Sequence, residues 1–190
     1  MATKLDVVNR ALQKLGAKRV TSLTEDSKNA RAVLTASEPV KLALLRDHVW
    51  SCAVKRASLA ADATAPDWGR ANCFTLPADF VRLAESYPED NTNVNDWTIE
   101  GKKIYTDDSA PLYIRYVYDV TDITQLDFLF VELWASALAY ELCEEITQSN
   151  TKKQLLEAEV EEILRKAKKA NAIERVAQRP PEDPWVTARL

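Results

Sequence analysis

Residues 126–146 read LDFLFVELWASALAYELCEEI, and the rest of the chain has to be arranged around them. At helical spacing Leu126, Leu129, Phe130, Leu133, Trp134, Ala137, Leu138 and Ile146 make one broad apolar stripe. Phe128, Val131, Ala135, Leu142 and Cys143 widen it beyond the ~100° of an ordinary surface helix. A helix apolar on so many sides must be covered by other elements, which predicts a central core helix. Glu132, Glu141, Glu144 and Glu145 break the run, so no charge-free span long enough for a membrane helix exists in it.

Downstream, Thr151-x-x-Gln154 has the form of a capping box and predicts a second helix with Leu156, Val160, Ile163 and Ala167 on its inner side. Glu161 with Arg165 and Glu162 with Lys166 stand four residues apart on the outer side. The run RKAKK has the charge of an RNA or phosphate patch. It falls in the last turns of a helix, however, where cations offset the dipole, and that is the preferred reading.

Upstream, the period changes from 3.6 to two. Trp50, Cys52 and Val54 alternate as a half-buried strand, and Ser58 to Asn72 reads as a loop carrying one exposed aromatic, Trp68. Strands are expected over Asn72 to Leu76 and over Phe80 to Tyr87, the latter with Val81 and Leu83 on its inner face. After the polar gap PEDNTNVND comes a hairpin through Trp97, Ile99, Gly101 and Ile104, then a third strand through Leu112, Ile114, Tyr116 and Tyr118. Together these predict one antiparallel sheet in the middle of the chain.

At the start, Thr3 followed by Asp6 is a capping signal, and Leu5, Val8, Leu12 and Leu15 repeat at helical spacing until Gly16. Val20 and Leu23 pin the next loop. Thr24 to Ser27 then cap a longer helix to about Asp47, with Ala30, Val33, Leu34, Val40, Leu44 and Leu45 as its apolar positions. Pro39 inside it predicts a kink or break near Ser37 and Glu38. The fold class expected is therefore α+β: an antiparallel bundle of about four helices, with an inserted antiparallel β-sheet or hairpin and an extended C-terminal tail. The helical parts are 3–48 and 124–175 and the β part is 49–120, all in one domain over 1–178, followed by a tail over 179–190.

Composition removes whole classes of chemistry. With 190 residues the chain can bury a sizeable core without disulfides, and Cys52, Cys73 and Cys143 are odd in number and far apart, as expected in a reducing compartment. The opening MATKLDVVNRAL lacks the pattern of a secretory signal, so synthesis in the cytoplasm is expected. A net charge of -4 and a pI near 5.2 oppose a main task of gripping phosphates. Three glycines, Gly16, Gly69 and Gly101, cannot write either glycine-rich nucleotide-binding loop, and the single histidine, His48, cannot furnish a two-histidine metal site.

Adjacent acids stand at Glu89/Asp90, Asp107/Asp108 and Glu144/Glu145, and glycosidases need two facing carboxylates. Neighbours on a strand or helix point apart, so these read as solvated acids. Asp47 beside His48 does not make an acid–base pair for the same reason, and His48 reads as a C-terminal helix residue. No catalytic, cofactor-binding or metal-ligating residue is assigned. The ending RPPEDPWVTARL has three prolines, no periodicity and one large apolar side chain, so it should not fold alone. Trp185, with Val186 and Arg189, is a candidate anchor on a subunit or partner, as is Trp68. Docking on its own subunit and docking on a partner both stay open for the tail.

The segments NRALQKLGAKRVTSLTEDSKNARAV, LLRDHVWSCAVKRASLAADATAPDWGRANCFTLPADFVRL, WTIEGKKIYTDDSAPLYIRYV and FVELWASALAYELC, in this order and with the closing EDPWVTAR, resemble the tail tubular protein A family. These are head-to-tail adaptors of short-tailed bacteriophages. The resemblance implies a virion structural protein of the phage neck, with no enzymatic role, no cofactor and no membrane contact. Twelve copies would form a ring between the portal protein and the tail nozzle (tubular protein B), with tail fibres as further neighbours and double-stranded DNA passing through the channel ungripped. The rival from another class is a carbohydrate-degrading tail enzyme using loop carboxylates such as Asp107 and Asp108. The family's motif transfers no catalytic residue onto this chain.

Overall fold

A computed structural model of the chain describes residues 3–87 and 97–174. Helix α1, Lys4–Leu15, starts at a capping box in which Thr3 Oγ1 accepts from the Asp6 amide at 3.2 Å and the Asp6 carboxylate accepts from the Thr3 amide at 2.8 Å. It ends at Gly16, whose φ of 70° is the left-handed conformation that lets a helix close its last carbonyls. Lys152 Nζ donates to the carbonyl of Leu15 at 2.6 Å and satisfies another of those end groups.

Helix α2, Lys28–Asp47, is capped by Ser27, whose hydroxyl accepts from the Ala30 amide at 3.1 Å. It runs without a break through Pro39, where the sequence predicts a kink or a break. The proline ring is exposed, and so is Thr35, whose carbonyl loses its donor, so that water can replace the missing hydrogen bond. Leu34, expected inside, is 53% exposed.

The period-two segment does not begin at Trp50. Residues Ser51–Ala53 form a short 3-10 turn, and strand β1 is Val54–Leu59. Trp50 is buried beneath that turn, its indole donating to the Leu44 carbonyl at 2.8 Å, and needs no strand to reach the core. Strands β2, Asn72–Thr75, and β3, Phe80–Tyr87, follow, then β4, Trp97–Glu100, β5, Lys103–Thr106, and β6, Leu112–Tyr118. Gly101, at φ 60°, makes the tight β4–β5 turn.

The six strands form two antiparallel sheets, β1–β6–β3 and β2–β5–β4, where one sheet was expected. The hairpin β4–β5 adds β2 to its free side, while β6 leaves it to lie between β1 and β3. Alternation tells which face of a strand is inner but not which strand is its neighbour, so the division had no signal in the pattern. Bulges between Phe80 and Arg82 and between Leu83 and Glu85 disturb the alternation of β3, and Phe80 to Leu83 are all half-buried.

Helix α3, Phe128–Thr147, holds the assembly together; α1, α2 and α4 (Asn150–Ile173) all pack against it. Its first half gives Phe130, Leu133, Trp134 and Ala135 to a cluster shared with both sheets. Its second half gives Leu138, Ala139, Leu142 and Cys143 to a cluster shared with α1, α2 and Leu156 of α4. Phe128, placed in the stripe by the sequence reading, is 83% exposed. It stands at the first helical position, directly after the cap Asp127, before the helix has entered the core.

Helix α4 starts two residues earlier than expected, with Ser149 and not Thr151 as its cap. Of its outer pairs, Glu162 and Lys166 meet at 2.6 Å, and Lys168 from the basic run pairs with Asp47 at 2.7 Å. The described residues are thus mixed α+β, with four α-helices and two three-stranded antiparallel sheets. None of their helices is long and apolar enough to cross a membrane.

Candidate interaction surface

The three most exposed bulky apolar side chains among the described residues, Trp68, Phe128 and Ile173, stand at two places, while Leu155 and Leu34 are exposed elsewhere. The first is the end of the α3–α4 pair. Asp127 caps α3 by accepting from the Leu129 amide at 2.8 Å, which fixes Phe128 outside the packed turns. At the far end of the antiparallel neighbour, Ile173 is 77% exposed, off the line of Leu156 and Ala167 that faces the core. Asp127 and Glu174, the chain neighbours of these two, line one crevice with Trp50, Cys52, Ala167 and Ala170.

Asn171 holds the floor of this crevice. Its Oδ1 accepts from the Ser51 amide at 2.7 Å, and its Nδ2 donates to the Val49 carbonyl at 3.0 Å and lies 2.9 Å from His48 Nε2. His48 in turn meets Trp50 edge-to-face at 4.8 Å, and Trp50 meets Phe130 in the same way at 5.2 Å. The last turn of α4 is therefore tied to the segment between α2 and β1, and the histidine is a cap and packing residue, as expected from its position. Burial pushes the Cys52 thiol up, with the negative charges of Asp127 and Glu174 acting in the same direction, so it is not a ready nucleophile.

The second place is the loop between β1 and β2. Trp68 is 89% exposed, as the sequence predicts, beside an open groove that also takes in Arg70, Thr98, Glu100, Lys103 and Tyr105. Asp62 anchors the loop: its amide donates to the Cys73 carbonyl at 2.9 Å, and its carboxylate pairs with Lys103 at 2.7 Å and accepts from Thr75 Oγ1 at 2.9 Å. The hydrogen bonds from Lys103 and Thr75 hold that carboxyl below its usual range.

The acids weighed for sugar chemistry are dispersed. Asp107 accepts from the Ala71 amide at 2.8 Å and pairs with Arg70 at 2.9 Å, and these contacts hold it below the usual carboxylate range. Asp108 accepts from Thr106 Oγ1 at 2.8 Å. Both oxygens of Asp107 thus brace the β1–β2 loop. Glu144 pairs with Lys153 at 2.9 Å, while Glu89 and Asp90 lie outside the described residues.

Two other charged clusters are braces between elements. Asp79 pairs with Lys55 at 2.8 Å and accepts from the Tyr116 hydroxyl at 3.0 Å; burial, and then Asp79, push that phenol up to about 12. Glu132 of α3 meets Lys14 at 2.7 Å and Arg10 at 3.0 Å across α1; burial opposes its charge, but those two cations hold it below the usual range. Among the described residues no group of three or more His, Cys, Asp or Glu side chains converges as metal ligands would.

Of the four contact residues named from the sequence, only Trp68 is placed; Trp185, Val186 and Arg189 lie outside the described residues. Phe128 and Ile173 were missed as surface residues. A usable signal existed for Ile173, which falls off the 156–160–163–167 line, and for Phe128, which directly follows a capping aspartate. No protein-family model matches the chain, and a search of curated proteins returns no match.

Proposed function

We propose that this chain is a virion structural protein, a head-to-tail connector of a short-tailed bacteriophage that closes into a ring of about twelve copies between portal and tail nozzle. The observation that carries the proposal is the ordered series of segments, spanning nearly the whole chain, that resemble the tail tubular protein A adaptors. Two features of the molecule support it. Large apolar side chains, Trp68, Phe128 and Ile173, stand in water at the ends of well-anchored elements, where a neighbour could cover them. The acidic net charge of -4 suits a channel through which duplex DNA slides, since tight phosphate binding needs the opposite sign.

Electron microscopy or mass photometry of the purified chain mixed with portal should find closed rings of about twelve subunits. A subunit that stays monomeric at every concentration, with and without portal, removes the proposal. For the enzymatic rival, the bracing role of Asp107 predicts that purified protein leaves host glycans uncleaved and that Asp107→Asn only loosens the β1–β2 loop. Glycan cleavage lost in Asp107→Asn with an intact fold would make the rival the better account.

A further inference from the structure

We infer that the groove between α2 and α3, with the α2 wall beside it, receives the outer face of α4 from a second copy, matching Leu34 to Leu155 and two belts of charge to their opposites. The inference rests on the ring proposed above and names one contact that closes it. The two helices run antiparallel here, with Lys28 Nζ donating to the Glu145 carbonyl at 3.2 Å. Lys28 and Arg31 stand on the α2 wall of the groove and Glu141 and Glu145 on its α3 wall, all four exposed, with Ala32 and Leu142 between them. At ~100° per residue, Leu34 lies about 60° to one side of Arg31 and Ala32 about 100° to the other, so Leu34 flanks the basic wall on the side away from the groove. Across this surface the order is therefore apolar, basic, acidic, and it begins with a leucine that is 53% exposed.

The free side of α4 carries the complementary order. Leu156, Val160, Ile163 and Ala167 turn inward, and opposite them Leu155, Ala158, Glu162 and Arg165 recur at spacings of three and four residues, all exposed. Leu155 is 68% exposed, and Glu161 and Lys166 reinforce the two charges, so this face reads apolar, acidic, basic from its N-terminal end. The lengths agree as well. Leu155 to Arg165 spans about 15 Å of helix, and a path from beyond one helix to its packed neighbour, 8–10 Å away, is about 13–15 Å. Laid across α2, a neighbour's α4 sets Leu155 on Leu34, Glu162 on Arg31 and Arg165 on Glu141. Reversed, it sets Leu155 among the glutamates and Arg165 on Leu34, so the pattern also fixes direction. Arg31 already pairs with Asp26, and Glu162 with Lys166 at 2.6 Å, but both pairs are solvent-exposed and weak enough to exchange. The two patches share no residue, so the contact is head-to-tail, the kind that closes into rings.

The test is a charge swap on the full chain, with assembly beside portal followed by mass photometry. Arg31→Glu and Glu162→Arg alone are each expected to raise the subunit concentration for half-assembly by on the order of tenfold, and the two together to return it to within about threefold of wild type. Both positions are exposed, so each monomer should melt close to wild type. The contact can also be read without a ring: Leu34→Cys protein mixed with Leu155→Cys protein and treated with a short bis-maleimide should give a mixed dimer, which neither variant gives alone. Single reversals that assemble like wild type, or a double swap no better than the singles, overturn the contact. Rings without the mixed dimer overturn the contact and leave the connector proposal standing. The mixed dimer without rings removes the connector proposal and leaves the contact, and absence of both removes both.

Discussion

Lys41→Ala is expected to destabilise the monomer by about 2–4 kcal/mol at neutral pH. The figure is lowered from the ~3–5 kcal/mol of a fully buried pair because the two carboxylates involved are partly exposed. Lys41 is 4% exposed in the middle of α2. Its ammonium meets Glu38 and Asp119, each at 2.8 Å, and donates to the Val120 carbonyl at 3.1 Å, while Glu38 also pairs with Lys4 of α1. One cation thus joins α1, α2 and the segment after β6, and removing it leaves two carboxylates and a carbonyl without their common donor.

The pH dependence follows from the shifts of the partners. Burial opposes the charge of Lys41, yet hydrogen bonds to Asp119 and Glu38 raise its pKa above the usual lysine value. Its stabilising effect is therefore complete below the unfolded value of ~10.4 and is lost as pH rises through the higher folded value. Burial likewise opposes the charge of Glu38, but hydrogen bonds from Lys4 and Lys41 hold it below the usual carboxylate range. Its contribution is present above the unfolded value of ~4.3 and fades as pH falls through the lower folded one. Urea denaturation should accordingly give a gap between wild type and Lys41→Ala that is largest near neutral pH and narrows as pH falls below ~4.3 toward the lower folded value of Glu38. A gap unchanged down to pH ~3 would mean that the loss is one of packing. Lys41→Met, which keeps the stem, separates the two contributions.

The second large effect is expected at Trp134, where alanine should cost about 3–5 kcal/mol and lower the melting temperature by on the order of 10 °C. The indole is fully buried, its N–H donates to the Ser37 carbonyl at 3.1 Å, and the Lys41 ammonium lies 5.9 Å from its ring. Trp134→Phe keeps much of the volume and loses the hydrogen bond to α2, so it should cost less than half as much. Calorimetry that finds both variants within about 1 kcal/mol of wild type would show that α3 is not the element on which the core depends.

Much of this organisation could be read from the residues alone. Thr3, Asp6 and Gly16 bound the first helix because caps are local chemistry, and the apolar run of α3 announces its burial wherever its neighbours stand. What escaped reading depends on distant partners. Nothing near Phe74 or Ile104 in sequence says that β2 pairs with β5, or that β6 crosses to lie between β1 and β3. Lys41 looks like any surface cation until Asp119, far along the chain, is brought to it. Pro39 carries a helix-breaking signal that solvent on its own face makes harmless. At the candidate surface Trp68 was legible because its loop has no apolar companions, whereas the exposure of Phe128 and Ile173 depends on which turns of α3 and α4 enter the core.

The sharing of α3 between both clusters has a mechanical meaning. Its twenty residues rise about 30 Å at ~1.5 Å per residue, and side chains bind it to the sheets at one end and to the other helices at the other. A hinge between the two clusters would have to break the hydrogen-bond ladder of α3, so this helix acts as a spacer between them. Whatever is seated at one end is held at a constant distance from whatever is seated at the other.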